Sequence, residues 1–126
     1  STHVLMPFGP DAKALEGHST TAQAVNELIE AELAQTTILG CVQVAHDTRL
    51  AVSVDARSQV GAAWGSRLLN AVLRVNSAFV LCPAVHRSIF AVEQSTRAPR
   101  RGSDDTRALG REVLERLSNS TARVAA

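Results

Sequence analysis

Tyrosine is absent from this chain, and one Trp and three Phe are its only aromatics, 3% of the residues. Its core must therefore be Val, Leu, Ile and Ala. The scarcity also argues against the aromatic platforms on which single-stranded nucleic acids stack. Cysteine is nearly as rare: Cys41 and Cys82 are the only two, with no Cys-x-x-Cys pair, which excludes a disulfide scaffold. No apolar run approaches the roughly 18 residues of a membrane span. The first residues lack the basic start and long apolar stretch of a secretory leader. The expectation is a soluble, cytoplasmic chain with no membrane partner. Gly-x-Ser-x-Gly, His-Glu-x-x-His and Gly-rich phosphate loops are all missing, so no familiar reaction is signposted.

What is present suits one domain: 126 residues, 45% of them hydrophobic. The net charge of +1 hides a division. Residues 1–60 hold three basic and seven acidic residues, a net of −4, whereas 61–126 hold ten Arg and five acidic residues, a net of +5. Such asymmetry favours head-to-tail self-association or steers a partner. An overall excess of +1 argues against nucleic acid, even though Arg97, Arg100, Arg101, Arg107 and Arg111 could grip phosphates.

The segment 22–57 matches 62–97 without a gap at eight identical positions of thirty-six, among them Ala22/Ala62, Leu28/Leu68, His46/His86, Val52/Val92 and Arg57/Arg97. A fixed period of forty implies two similar units, 19–58 and 59–98. In the first, Thr20 to Gln23 fits a capping box, and Val25, Leu28, Ile29 and Leu33 form a helical stripe to about Gln35. Ile38 to Ala45 and Leu50 to Asp55 alternate as the strands of a hairpin around His46-Asp47-Thr48. In the second, Ser58 caps a helix whose stripe is Val60, Trp64, Leu68, Val72 and Val75; strands 79–84 and 89–94 flank His86-Arg87. Ser103 to Asp105 open a closing helix over 104–117, with Leu109, Val113, Leu114 and Leu117 on its apolar face. Residues 1–18 read as an N-terminal arm punctuated by Pro7 and Pro10, and 118–126 as a flexible tail.

The expected fold is α+β in the order αββαββα: a four-stranded, mainly antiparallel sheet with helices packed on one face. Over residues 20–117 this order of helix, hairpin, helix, strands and closing helix is similar to that of the roadblock and profilin-like domains. The likeness is one of topology, and it implies pairing into dimers that scaffold signalling complexes.

Few residues invite chemistry. Cys41 with His46, and Cys82 with His86, offer a two-Cys, two-His set. Their spacings of five and four put each Cys mid-strand and each His at a turn, which argues against zinc, and no metal or cofactor is expected. A nucleophile reading would join a Cys to His46 and Asp47 or Asp55; an Asp after a His in a turn more often serves the turn's own backbone.

The reading reached is a non-catalytic, homo-oligomeric structural or adaptor protein acting through protein–protein contacts. Val4, Leu5, Met6 and Phe8 of the arm, with Arg100 and Arg101, are its interface candidates. The rival is a small-molecule-binding protein or enzyme holding an anionic ligand between the repeats, near His46, His86, Arg57 and Arg97, with the paired Arg as a clamp.

Overall fold

A computed structural model of the chain describes residues 3–9, 23–24, 26–28, 30–31, 37–96 and 99–125, with side chains as far as 119. Three parallel strands lie side by side in chain order: β1 (His3–Phe8), β2 (Thr37–His46) and β3 (Leu68–Arg74). Parallel neighbours need a long crossover. Between β2 and β3 it consists of helix α1 (Ala51–Trp64) and one 3₁₀ turn (Gly65–Arg67). Helices α2 (Ser77–Val85), α3 (Ile89–Gln94) and α4 (Arg101–Ala125) follow. Residues 23–24, 26–28 and 30 are also helical, and the Ala31 amide donates to the Glu27 carbonyl at 3.0 Å.

The expected four-stranded, mainly antiparallel sheet is thus overturned: the architecture is α+β, but the sheet is three-stranded and all parallel. The αββαββα order goes with it, as does the likeness to roadblock and profilin-like domains, which rested on that order. The two matched segments do not share a conformation. Thr37–His46 is a strand, while its counterpart Ser77–Val85 is a helix. Leu50 to Asp55 and Ile89 to Gln94, both expected as strands, are helical from Ala51 and Ile89.

The helix expected from the Ser58 cap through the stripe to Val75 stops at Gly65. This residue sits at φ 56, ψ −124, a backbone conformation that essentially only glycine adopts. Past it, Leu68 to Leu73 form a strand whose apolar residues do not alternate, the pattern of a parallel strand covered on both faces.

The N-terminal segment, expected as an arm, is the edge strand β1. Met6 and Phe8 are buried in the core, Val4 and Leu5 are half-buried, and Pro7 is exposed. Edge strands tolerate proline because its missing N–H costs no ladder bond on the open side. Met6, Phe8, Ile38, Cys41 and Val60 make the central cluster, with Val4, Trp64 and Leu68 packed against it. Beneath the sheet α1 buries Ser53, Ala56 and Val60, a narrow stripe of small residues. Gly40, buried in β2, lets the 3₁₀ turn approach: a Cβ there would collide with the Arg67 carbonyl oxygen and the Leu69 side chain. At the other end of the chain, residues 118–125 continue α4.

β3 pairs irregularly with β2. Cys41 lies opposite Leu68 and Gln43 opposite Val72, so three residues of β3 bulge where β2 has one. Side chains take up the stranded backbone groups. Arg57 Nη2 donates to the Leu69 carbonyl (3.0 Å), and Glu112 accepts from the amides of Asn70 (2.9 Å) and Ala71 (2.8 Å). Arg116 Nη1 donates to the Ser66 carbonyl (2.9 Å) and pairs with Glu112 at 3.1 Å. Asp105 accepts from the Arg74 amide (3.0 Å) and pairs with its guanidinium at 2.8 Å. Asp105, Glu112 and Arg116 stand seven and four apart, so one face of α4 presents all three. Burial would raise the Glu112 carboxyl, but the Ala71 and Asn70 amides and the Arg116 guanidinium outweigh it and hold it below the usual carboxylate range.

Candidate interaction surface

Helix α2 begins where Asn76, extended at φ −158, accepts the Ala78 amide on its side-chain oxygen at 3.0 Å. Its side-chain nitrogen donates to Glu93 at 3.2 Å. Pro83 lies inside the helix and removes the bond its amide would have made to Phe79 four residues back. One turn later His86 ends the helix in the left-handed conformation (φ 53, ψ 44), and the amides of His86 and Arg87 both converge on the Cys82 carbonyl. Ser88 then caps α3, its hydroxyl accepting the Ala91 amide at 3.3 Å.

The short α3 is the anchor. It buries Ile89, Val92 and Glu93. Glu93, 3% exposed, accepts the amides of Gly102 (2.9 Å) and Ser103 (2.6 Å), thereby capping the first turn of α4. Burial by itself would raise this carboxyl; the Ser103 and Gly102 amides and Asn76 outweigh it and keep it below the usual range. A Cβ on Gly102 would lie 2.7 Å from two carbons of Ile89, so glycine is what lets α3 and α4 touch.

Helix α2 itself is more apolar than α1 or α4, yet none of its residues is buried. Val80 is 76% exposed and Leu81 47%, flanked by exposed Val75, Val85 and Phe90. The Arg107 guanidinium lies 4.9 Å from the centre of the Phe90 ring, a cation–π contact between α4 and α3.

Of the residues expected to hold an anionic ligand, Arg57, His46 and His86 are described, and they stand in or at the end of three different elements. Arg57 is committed to the Leu69 carbonyl, close enough to Cys41 for its charge to act on that thiol. His46 closes β2 five residues beyond Cys41, roughly 16 Å along the strand at the usual rise. It is 8% exposed and accepts the Val75 amide on its carbonyl, and its Nδ1 makes no hydrogen bond among the described residues. His86 is exposed at the far end of α2, and Arg97 lies outside the described residues. Of the interface candidates, Arg100 and Arg101 are exposed at the start of α4, whereas Met6 and Phe8 are spent on the core.

The nucleophile reading also loses one of its two thiols. Burial pushes Cys41 up to about 11, against the opposing charges of Arg116 and Arg57, so it stays protonated at neutral pH. Among the described residues no group of three or more His, Cys, Asp or Glu could hold a metal ion, and no helix is long and apolar enough to cross a membrane.

A cleft of about 570 Å³ opens at the amino ends of β2 and β3, lined by Leu39, Arg67, Asn70, Glu112, Glu115 and Arg116. Glu112 and Arg116 there already hold the backbone of the chain. The exposed face of α2 was missed in the sequence because Phe79 to Ala84 suggests a strand. The available signals were Asn76 and Ser88, two good caps twelve residues apart. No family model matches the chain, and no curated protein matches its sequence.

Proposed function

We propose that this chain functions by contact, as a homo-oligomeric structural or adaptor protein whose contact surface is the outer face of α2 with Phe90 of α3. The observation that carries this reading is the inverted economy of α2: a strongly apolar helix, capped at both ends, that buries none of its residues. A contiguous apolar face left to water is disfavoured, and such faces mark sites of association. The surface is also built to stay in place. Asn76 and Glu93 tie the start of α2 to α3 and α4, and Ile89 seats α3 on Gly102.

Size-exclusion chromatography with light scattering tests the reading. At tens of micromolar the chain is expected to elute as a dimer or larger, and V80D/L81D as a monomer with an unchanged melting curve. A monomeric parent chain at that concentration overturns it.

A further inference from the structure

Helix α4 gives the cleft at the amino ends of β2 and β3 one of its walls. Glu112 is followed at three, four and seven residues by Glu115, Arg116 and Asn119, so a single helical stripe presents all four to the cavity. The 3₁₀ turn adds Arg67, and β3 adds Asn70. At about 570 Å³ the cavity falls within the roughly 300–1,000 Å³ of small-molecule sites.

Two of its charges are already spent. Glu112 accepts the Asn70 and Ala71 amides, Arg116 donates to the Ser66 carbonyl, and the two neutralise each other at 3.1 Å. These bonds fix α4 against the turn and β3, so the wall is set before anything binds. Two charges remain, one of each sign. Arg67 and Glu115 are exposed, and neither side chain makes a hydrogen bond or an ion pair among the described residues. Asn70 and Asn119 contribute amides that both donate and accept, and Ile38 and Leu39 contribute apolar surface. An anion alone would meet Glu115, and a cation alone would meet Arg67. A hydrocarbon would bury both charges without partners. We propose that the cleft binds a small zwitterion, its carboxylate on the Arg67 fork, its ammonium on Glu115 and a short apolar group against Ile38 and Leu39. Free amino acids and short peptides share this chemistry. The site does not depend on self-association through α2.

Isothermal titration calorimetry of the intact chain tests this. The zwitterionic probes are L-leucine and the tripeptide Leu-Gly-Gly. The single-charge probes are 4-methylpentanoate, which lacks the ammonium, and isopentylamine, which lacks the carboxylate. A zwitterion is expected to bind at least tenfold more tightly than either single-charge probe, and the tighter of the two zwitterions identifies the source. Arg67→Gln and Glu115→Gln are each expected to weaken it at least tenfold. Arg67→Gln alone should weaken 4-methylpentanoate, and Glu115→Gln alone isopentylamine. Both positions are exposed, so melting curves should not move. Arg87→Gln, at an exposed arginine outside the cleft, should leave binding as it was, and so should V80D/L81D. Failure of both zwitterions to bind up to about 10 mM, where a millimolar site would be filled, overturns the proposal. So does binding that neither Arg67→Gln nor Glu115→Gln weakens, or a single-charge probe that matches the zwitterions.

Discussion

Helices α2 and α4 use their side chains in opposite senses. α4 is the more polar of the two, yet it turns Asp105, Glu112 and Arg116 inward, onto the backbone of β3 and the turn before it. α2 is strongly apolar, yet it turns Val80 and Leu81 to water. The contrast shows that hydropathy does not by itself decide which helix a fold keeps for itself. A bulged strand leaves amides and carbonyls that only polar groups can satisfy, and a charged acceptor satisfies them best. The apolar helix, in turn, keeps Val80 and Leu81 at the surface.

The comparison can be broken at its tightest point first. Gly40→Ala drives a methyl into the Arg67 carbonyl and the Leu69 side chain, so the seam beside α4 must open; the expected loss is about 3 kcal/mol, or roughly 10 °C in Tm. An unchanged melting temperature would mean the turn is not packed on β2. Next, Glu112→Ala leaves two strand amides and Arg116 without their acceptor, at an expected cost of about 2 kcal/mol by urea denaturation.

The acid limb sharpens this. Glu93 and Glu112 both titrate below the ordinary glutamate value of 4.5 in the folded chain, so on acidification the unfolded chain takes up protons first. Their contribution is complete above that value and is lost as pH falls through the depressed folded values. Urea midpoints measured between pH 6 and pH 3 should fall steadily, and less steeply in E93Q/E112Q; a parallel decline in the two proteins would refute the assignment.

The smaller effects lie on the outward surfaces. A Cβ on Gly110, within α4, meets nothing within 4 Å, so Gly110→Ala should stabilise by about 0.5–1 kcal/mol through helix propensity. V80D/L81D should move stability by no more than about 0.5 kcal/mol while changing the elution volume, since these residues contact solvent in the isolated chain. A large loss of stability there would place α2 in the core and erase the contrast.

How far this could be read from the chain depended on the residues involved. Ile38 to Ala45 is rich in β-branched residues and bounded by polar turns, and it is a strand. The closing helix announces itself by Leu109, Val113 and Leu117 at helical spacing after an acidic start. The errors have physical causes. Leu50 to Asp55 alternates as a half-buried strand would, but α1 faces the sheet with Ser53, Ala56 and Val60, so its buried stripe carries little hydrophobic contrast and Val52 and Val54 flank it half-exposed. The i, i+4 stripe from Val60 to Val75 ran across Gly65, whose left-handed backbone ends one element and lets a strand begin. The forty-residue match suggests a structural repeat, yet shared residues at shared spacing do not impose a shared conformation once tertiary contacts differ. The seam of Asp105, Glu112 and Arg116 was legible only as charges on a helix face. Nothing local says that such charges will meet a bulge more than thirty residues earlier in the chain.

That seam has a bearing on aggregation. Bare strand backbone is a template on which extended chains can stack, and proteins protect themselves by covering it. In this chain β3 is sheathed by carboxylates and a guanidinium from α4, so its safety is conditional on their charge. Removing the Glu112 carboxylate would strip the amides of Asn70 and Ala71 of the acceptor that covers them.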